Sequence, residues 1–386
     1  MAELSPSVAA QLAAAVYAVQ DENGGRKFLS RSEFSTKAGD GKQLKATVGF
    51  RLINAQDGFG ICACGGQGYE NDLFIIFRGS TTANHCADFA SNGRIGVEFS
   101  QTGLPVHIGF NQVFNSMLPQ IKEFLGSQLQ VTGVIHCIGH SLGGAVATLA
   151  ANWIKGNRVN EVKLYTFGAP RAGLSRFAKR LTANLTANNI HRVYHATDPV
   201  PMIPIFPFVH APLPGLGHYI PSSEMIVSAE AHGMGKYILS VNTLSWNDLE
   251  RRPPPYTVES AIEQWLQSKI PVNPADPKMW DWINAALVYV LKKYLTGLFV
   301  ALETGLTGVF TIADKIAWIL NKGIDLSKEA SAAVHNLMRK IMQALGMAIV
   351  KTAKELTQAL LRSVLLSLMH KLSDEAQRAV RQIFRV

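Results

Sequence analysis

Residues 1–250 of this 386-residue chain are expected to form an α/β fold on a mostly parallel sheet, and residues 278–386 an all-helical region. Three observations carry that expectation. Short apolar runs rich in β-branched residues alternate with stretches of helical pattern up to about residue 245, an order that lays parallel strands between two layers of helices. One such run, VIHCI, passes through Gly139-His140-Ser141-Leu142-Gly143 into the helical AVATLAANWIK, which reads as strand, tight turn, helix. Beyond residue 278 apolar positions recur every three or four residues with short turns between them. With 47% hydrophobic residues, the chain can bury a sizeable core.

Taken in order, Ser5-Pro6 opens an amphipathic helix with Ser5 as its N-cap. This start lacks a basic leader and a continuous apolar stretch, so no Sec signal peptide is expected. The implied location is the cytoplasm or a Sec-independent export route. Residues 45–79 read as β-structure, three apolar runs separated by turn signals such as Gln56-Asp57-Gly58. Residues 106–129 move into a helical pattern, 131–156 give the strand–turn–helix, and 161–173 a strand entering a Gly/Pro loop. Residues 191–204 repeat that arrangement, with Asp198 opening the loop. Arg251-Arg252-Pro253-Pro254-Pro255 marks a boundary, one helix follows, and Pro271, Pro274 and Pro277 mark a second break. Residues 251–277 are therefore a connector with one helix, and turns are expected in the helical region near Asn321-Lys322-Gly323 and Ser373.

The net charge of +9 is uneven: residues 271–386 hold 15 Lys or Arg against 9 Asp or Glu. That excess suits either an anionic lipid surface or solvated helix faces. No nucleic-acid partner is expected. Asp281, Lys292, Lys293, Glu303 and Asp314 interrupt the most apolar region, so a conventional spanning helix of about 18 residues is not expected there. The cysteines Cys62, Cys64, Cys86 and Cys137 read as thiols, mostly buried, with Cys62 and Cys64 on one side of a strand.

The chemistry centres on the G-x-S-x-G at 139–143. A serine hydroxyl is a weak nucleophile until a base takes its proton, and a strained turn between strand and helix lifts it above the sheet. Ser141 is the candidate nucleophile, and the amide of Leu142 a candidate oxyanion donor. Asp198 ends a strand, as an acid orienting a histidine should; the alternative there is an Asx turn. Chain order Ser, acid, His leaves His210, His218, His232, His335 and His370 as candidate bases.

The segments FRGST (77–81), VHIGF (106–110), GHSLGGA (139–145), YTFGAPR (165–171) and DPVP (198–201) occur in the order found in the class 3 lipases, which the chain resembles over about residues 10–245. The resemblance implies an α/β-hydrolase fold and a lipid-ester hydrolase with the triad Ser141, Asp198 and His232. His232 matches the family's H-x-x-x-x-Y segment, while His218 matches a structural histidine. It also implies Ser80, after F-R-G, as the second oxyanion donor, and no metal or organic cofactor. The family's lid helix corresponds to 81–92, where Asn84 and Asp88 match polar positions and His85 stands in place of a frequent tryptophan. That stretch is too polar for a strong interfacial lid. The apolar segment 202–216, with Ile203, Ile205, Phe206 and Phe208, suits an acyl pocket or a packed loop.

The resemblance does not reach residues 271–386. Their helices read either as a soluble bundle or as a hydrophobic hairpin released onto a membrane, with Gly297 and Thr304-Gly305-Leu306-Thr307-Gly308 suited to close helix contact. Three functions follow: a lipase or carboxylesterase on acylglycerols, a phospholipase A of toxin-like kind, and a membrane-perturbing helical protein with a secondary hydrolase part. The partner in each is a lipid ester at a lipid–water interface, with membrane association through 278–370.

Overall fold

A computed structural model describes residues 3–48, 55–80, 96–221, 228–249, 251, 258–274, 276–298 and 311–383. The strands are β1 (Gly41–Val48), β2 (Ala55–Cys64), β3 (Leu73–Phe77), β4 (Val97–Phe99), β5 (Pro105–His107), β6 (Ile135–His140), β7 (Val162–Phe167), β8 (Gly173–Leu174), β9 (Ile190–His195), β10 (Phe208–Val209) and β11 (His218–Ile220). The helices are α1 (Pro6–Ala15), α2 (Glu22–Leu29), α3 (Ile108–Ser127), α4 (Leu142–Asn157), α5 (Ser175–Leu185), α6 (Ala229–His232) and α7 (Met234–Val241). Five more follow: α8 (Glu259–Gln267), α9 (Pro277–Tyr294), α10 (Ile312–Ile324), α11 (Lys328–Ala344) and α12 (Gln358–Ile383).

A seven-stranded sheet runs β1-β2-β3-β6-β7-β9-β11, and β10-β8-β5-β4 form a second, smaller sheet. From β3 to β11 every pairing in the large sheet is parallel; β1 and β2 extend it antiparallel. The period of two in β3 explains why both faces are covered. Leu73, Ile75 and Phe77 join a cluster with α3, α4 and α5, whereas Phe74 and Ile76 join one with α1 and α7. This is the α/β-hydrolase architecture expected, with its helical carboxyl-terminal region. Ser5 caps α1 as read, its hydroxyl accepting from Val8 N–H at 3.2 Å. Cys62, Cys64 and Cys137 are buried free thiols in one apolar cluster.

α9 to α12 bury one another's stripes, with Leu287, Ile316, Leu337 and Leu365 among their fully buried residues. Each such side chain contributes about 1.5–3 kcal/mol by leaving water. The connector helix α8 packs into this same core through Ile262 and Leu266, and so do Leu174, Met202, Ile205, Phe206 and Phe208 from the hydrolase part. Among the described residues, no helix is long and apolar enough to cross a membrane.

Two local expectations fail. Gln56, Asp57 and Gly58 lie inside β2, paired with Thr47, Ala46 and Lys45. The glycine there serves a close approach, since a Cβ on Gly58 would stand 1.9 Å from the Val19 carbonyl oxygen. Ser373 lies within the continuous helix α12, its hydroxyl accepting from Gln377 Nε2 at 3.4 Å, whereas the turn expected near 321–323 follows α10 at 325–327. Neither Ser373 nor its neighbours include a Gly or Pro able to stop that helix. The lid segment 81–92 with Asn84, His85 and Asp88, Cys86, Arg252–Pro255, Glu303 and Thr304–Gly308 lie outside the described residues.

Candidate active site

The turn at Ser141 follows from three glycines. A Cβ on Gly139 would come within 2.2 Å of the Gly143 carbonyl oxygen, and one on Gly143 within 2.4 Å of the Phe77 and Arg78 carbonyls. Only glycine lets α4 start this close to β6 and β3. Ser141, between them, takes φ 54° and ψ −131°, a strained conformation for a residue with a side chain. Gly79 matches this crowding from the next strand, since a Cβ there would sit 3.0 Å from Ser141 Cβ.

The three predicted triad residues meet at the carboxyl edge of the parallel strands. Ser141 follows β6, Asp198 follows β9, and His232 ends α6. Asp198 Oδ2 accepts from His232 Nδ1–H at 2.9 Å. A carboxylate only accepts, so that bond leaves His232 Nε2 as the acceptor facing Ser141 Oγ at 2.9 Å. All three side chains are buried. Burial alone would raise the Asp198 carboxyl. The His232 ring beside it, and hydrogen bonds from His232, Tyr237 and the Val200 amide, outweigh this and hold it below the ordinary carboxylate value.

Further groups, to which the sequence assigned no role, fix this geometry. The Tyr237 hydroxyl donates to Asp198 Oδ2 at 2.6 Å. Burial, reinforced by that carboxylate, pushes the phenol well above its usual value, so it stays a donor. His140 Nε2–H donates to the His232 carbonyl at 2.7 Å, which leaves Nδ1 to accept from the Tyr17 hydroxyl at 2.7 Å. His195 Nδ1–H donates to the neighbouring Ala231 carbonyl at 2.6 Å, and its Nε2 accepts from Ser240 Oγ at 2.9 Å. Two histidines thus pin two successive carbonyls beside the His232 ring. Burial and the nearby His232 depress His140 to about 3, so it remains neutral. Tyr237 stands at the tyrosine of the H-x-x-x-x-Y segment, which was its one sequence signal. Nothing in spacing pointed to Tyr17 or His195.

The other histidine candidates are occupied elsewhere. His210 Nε2–H donates to the Pro201 carbonyl at 2.8 Å and His218 Nδ1–H to that of Leu249 at 2.6 Å. His335 lies on α11 and His370 on α12. For the oxyanion donors, Leu142 is the first residue of α4, where an amide has no intrahelical carbonyl to meet. Ser80 follows β3 at the same sheet edge, since Phe77 pairs with Gly139. It is buried, and its Oγ has no hydrogen-bond partner among the described residues. Of the expected acyl-pocket residues, Ile203 and Ile205 line the apolar cavity over Ser141. Phe206 and Phe208 pack into the core shared with the helices, Phe208 with its ring 5.4 Å from that of His107.

Residues 74–208 match the model of the class 3 lipase family, Lipase (class 3). That span holds the segments from F-R-G-S to D-P-V-P and leaves His232 beyond its end. Secreted mono- and diacylglycerol lipase A of Penicillium cyclopium is 38% identical over 93 residues, 24% of this chain and 29% of that protein. Phospholipase A(1) DAD1, chloroplastic, of Arabidopsis thaliana is 30% identical over 157 residues, 35% of this chain and 34% of that protein. The chain therefore spans about a third, or less, of the length of these relatives. A solved structure of a mutant form of MDLA from Penicillium cyclopium is similar at 24% identity and a TM-score of 0.42, covering 59% of this chain and 83% of that one.

Proposed function

We propose that this chain is a serine hydrolase that cleaves fatty-acyl esters of lipids. The observation that carries the reading is the buried Ser141–His232–Asp198 relay, with 2.9 Å at each link, opening into an apolar cavity. The class 3 lipase match over 74–208 supports it.

In this mechanism His232 Nε2 takes the Ser141 hydroxyl proton as Oγ bonds to the ester carbonyl carbon. Asp198 and Tyr237 steady the imidazolium and the carboxylate facing it. The Leu142 and Ser80 amides receive the oxyanion, each such donor lowering the barrier by about 3 kcal/mol. Collapse breaks the ester bond, and the leaving alkoxide takes the proton from His232. Water, deprotonated by the same ring, attacks the acyl-enzyme; the Oγ–acyl bond breaks, Ser141 Oγ takes the proton back from His232, and the fatty acid leaves. Replacing Ser141→Ala should keep the fold by circular dichroism and cut fatty-acid release by about a thousandfold or more. Undiminished release by that variant refutes the assignment.

Two observations favour a second reading, a phospholipase A acting on membranes as a toxin-like effector. One relative carries the name phospholipase A(1), and residues 271–386 hold the basic excess. In this reading residues 278–370 associate with the membrane surface. Faster release from phosphatidylglycerol vesicles than from a triacylglycerol emulsion supports the second reading, and the reverse order the first.

A further inference from the structure

We infer that the carboxyl-terminal half of α12 is a displaceable cover on the catalytic cavity, occupying the place an acyl chain would take, and that a lipid surface draws it off. The inference rests on the hydrolase reading above. Met369, Leu372, Ser373, Ala376, Gln377 and Val380 line the cavity opposite Ser141. Their spacing of three and four residues is one face of one helix, so a continuous side of α12 roofs the nucleophile. Beneath it Ser141 is 2% exposed. The enclosed space leaves room for roughly three waters, so this face of α12 bounds how much of an acyl chain the cavity can admit.

The two halves of α12 are held differently. Leu361, Val364, Leu365, Leu368, Met369 and Leu372 belong to the large helical core, whereas Ala376 and Val380 form a small separate cluster with Val200 and Ile203, and α12 also packs along α6. Ser373 and Gln377 place two buried polar side chains, hydrogen-bonded to each other at 3.4 Å, in this otherwise apolar face. The outer face carries the exposed Asp374, Arg378 and Arg381, with Arg378 paired to Glu375. A helix with an apolar face and a charged outer face is suited to lie in a lipid interface once released.

A reversible tether tests this. A Cβ on Gly233 would lie 3.9 Å from Ile383 Cγ1, within reach of a disulfide after small adjustment. The full chain carrying Gly233→Cys and Ile383→Cys, with Cys86→Ser, is compared oxidised and reduced. The readouts are fatty-acid release from phosphatidylglycerol vesicles and labelling of Ser141 by a fluorophosphonate, followed by mass. The oxidised form should be at least tenfold slower in both and recover on reduction. Equal rates in protein shown by mass to be fully cross-linked overturn the cover.

In a second arm, Ala376→Glu with Val380→Glu should speed labelling at least tenfold without vesicles and weaken its dependence on them. Unchanged or slower labelling of that variant, folded by circular dichroism, makes α12 a fixed wall and overturns the proposal. If the unmodified chain is labelled in neither the presence nor the absence of vesicles, the hydrolase reading itself fails, and the cover with it.

Discussion

Gly168 has φ +55°, and a Cβ there would stand 2.5 Å from Asp198 Oδ2 and 3.0 Å from both His232 Nδ1 and the Tyr237 hydroxyl. Gly168→Ala should therefore push the acid off the ring, lower turnover about a hundredfold or more, and cost about 1–2 kcal/mol for the left-handed backbone. Denaturant titration alongside a steady-state assay checks both. Tyr237→Phe removes a donor that favours the charged form of Asp198. The depressed carboxyl should rise, and the acid limb of the rate profile should move to higher pH. An unmoved limb means the hydroxyl only packs. At this scale the three side chains that meet at the sheet edge, Ser141, Asp198 and His232, were legible because each sits in a motif with a stated geometric task. His140 and His195 were not, because their task is to hold carbonyls 92 and 36 residues away. Only the folded sheet edge brings those groups together.

Among the elements, parallel strands buried on both faces were the easiest to read, since an apolar run such as LFIIF has no plausible exposed form. Gln56-Asp57-Gly58 misled because turn-forming residues also occur where a strand must admit a neighbour's backbone, here Val19. Ser373 misled because a polar residue in a helix stripe resembles a break until the stripe is seen to face the cavity over Ser141. α10 begins with a capping box, the Thr311 hydroxyl accepting from Asp314 N–H at 3.2 Å while Asp314 accepts from the Thr311 amide at 3.0 Å. Asp314 also pairs with Arg362 of α12. Thr311→Ala should cost about 1 kcal/mol in urea denaturation and leave fatty-acid release little changed.

For the whole molecule, burial dominates the acid response. It depresses His107 and His140 to about 3 and His218 to about 4. Folded values below the unfolded 6.5 mean that the unfolded chain binds the extra protons. The stability is fully present above about pH 6.5 and is lost as pH falls towards 4. Unfolding at pH 5 should take up roughly three protons from these rings alone. Calorimetry should show the melting temperature falling steeply from pH 7 to 5; a flat profile refutes this. Because hydrolase residues such as Phe206 and Phe208 share the core of the helices, the melt should show one transition and not two.

The thiols inside that sheet offer a clock. Burial pushes Cys62 and Cys137 far above the usual thiol range, Cys137 adding to the shift of Cys62. In the native state neither sulfur is ionised or reachable, so an alkylating reagent can act only when the strands part. The rate at which these sulfurs take up label therefore times how often the molecule comes open at its centre. Motion confined to its helical roof would leave that count untouched.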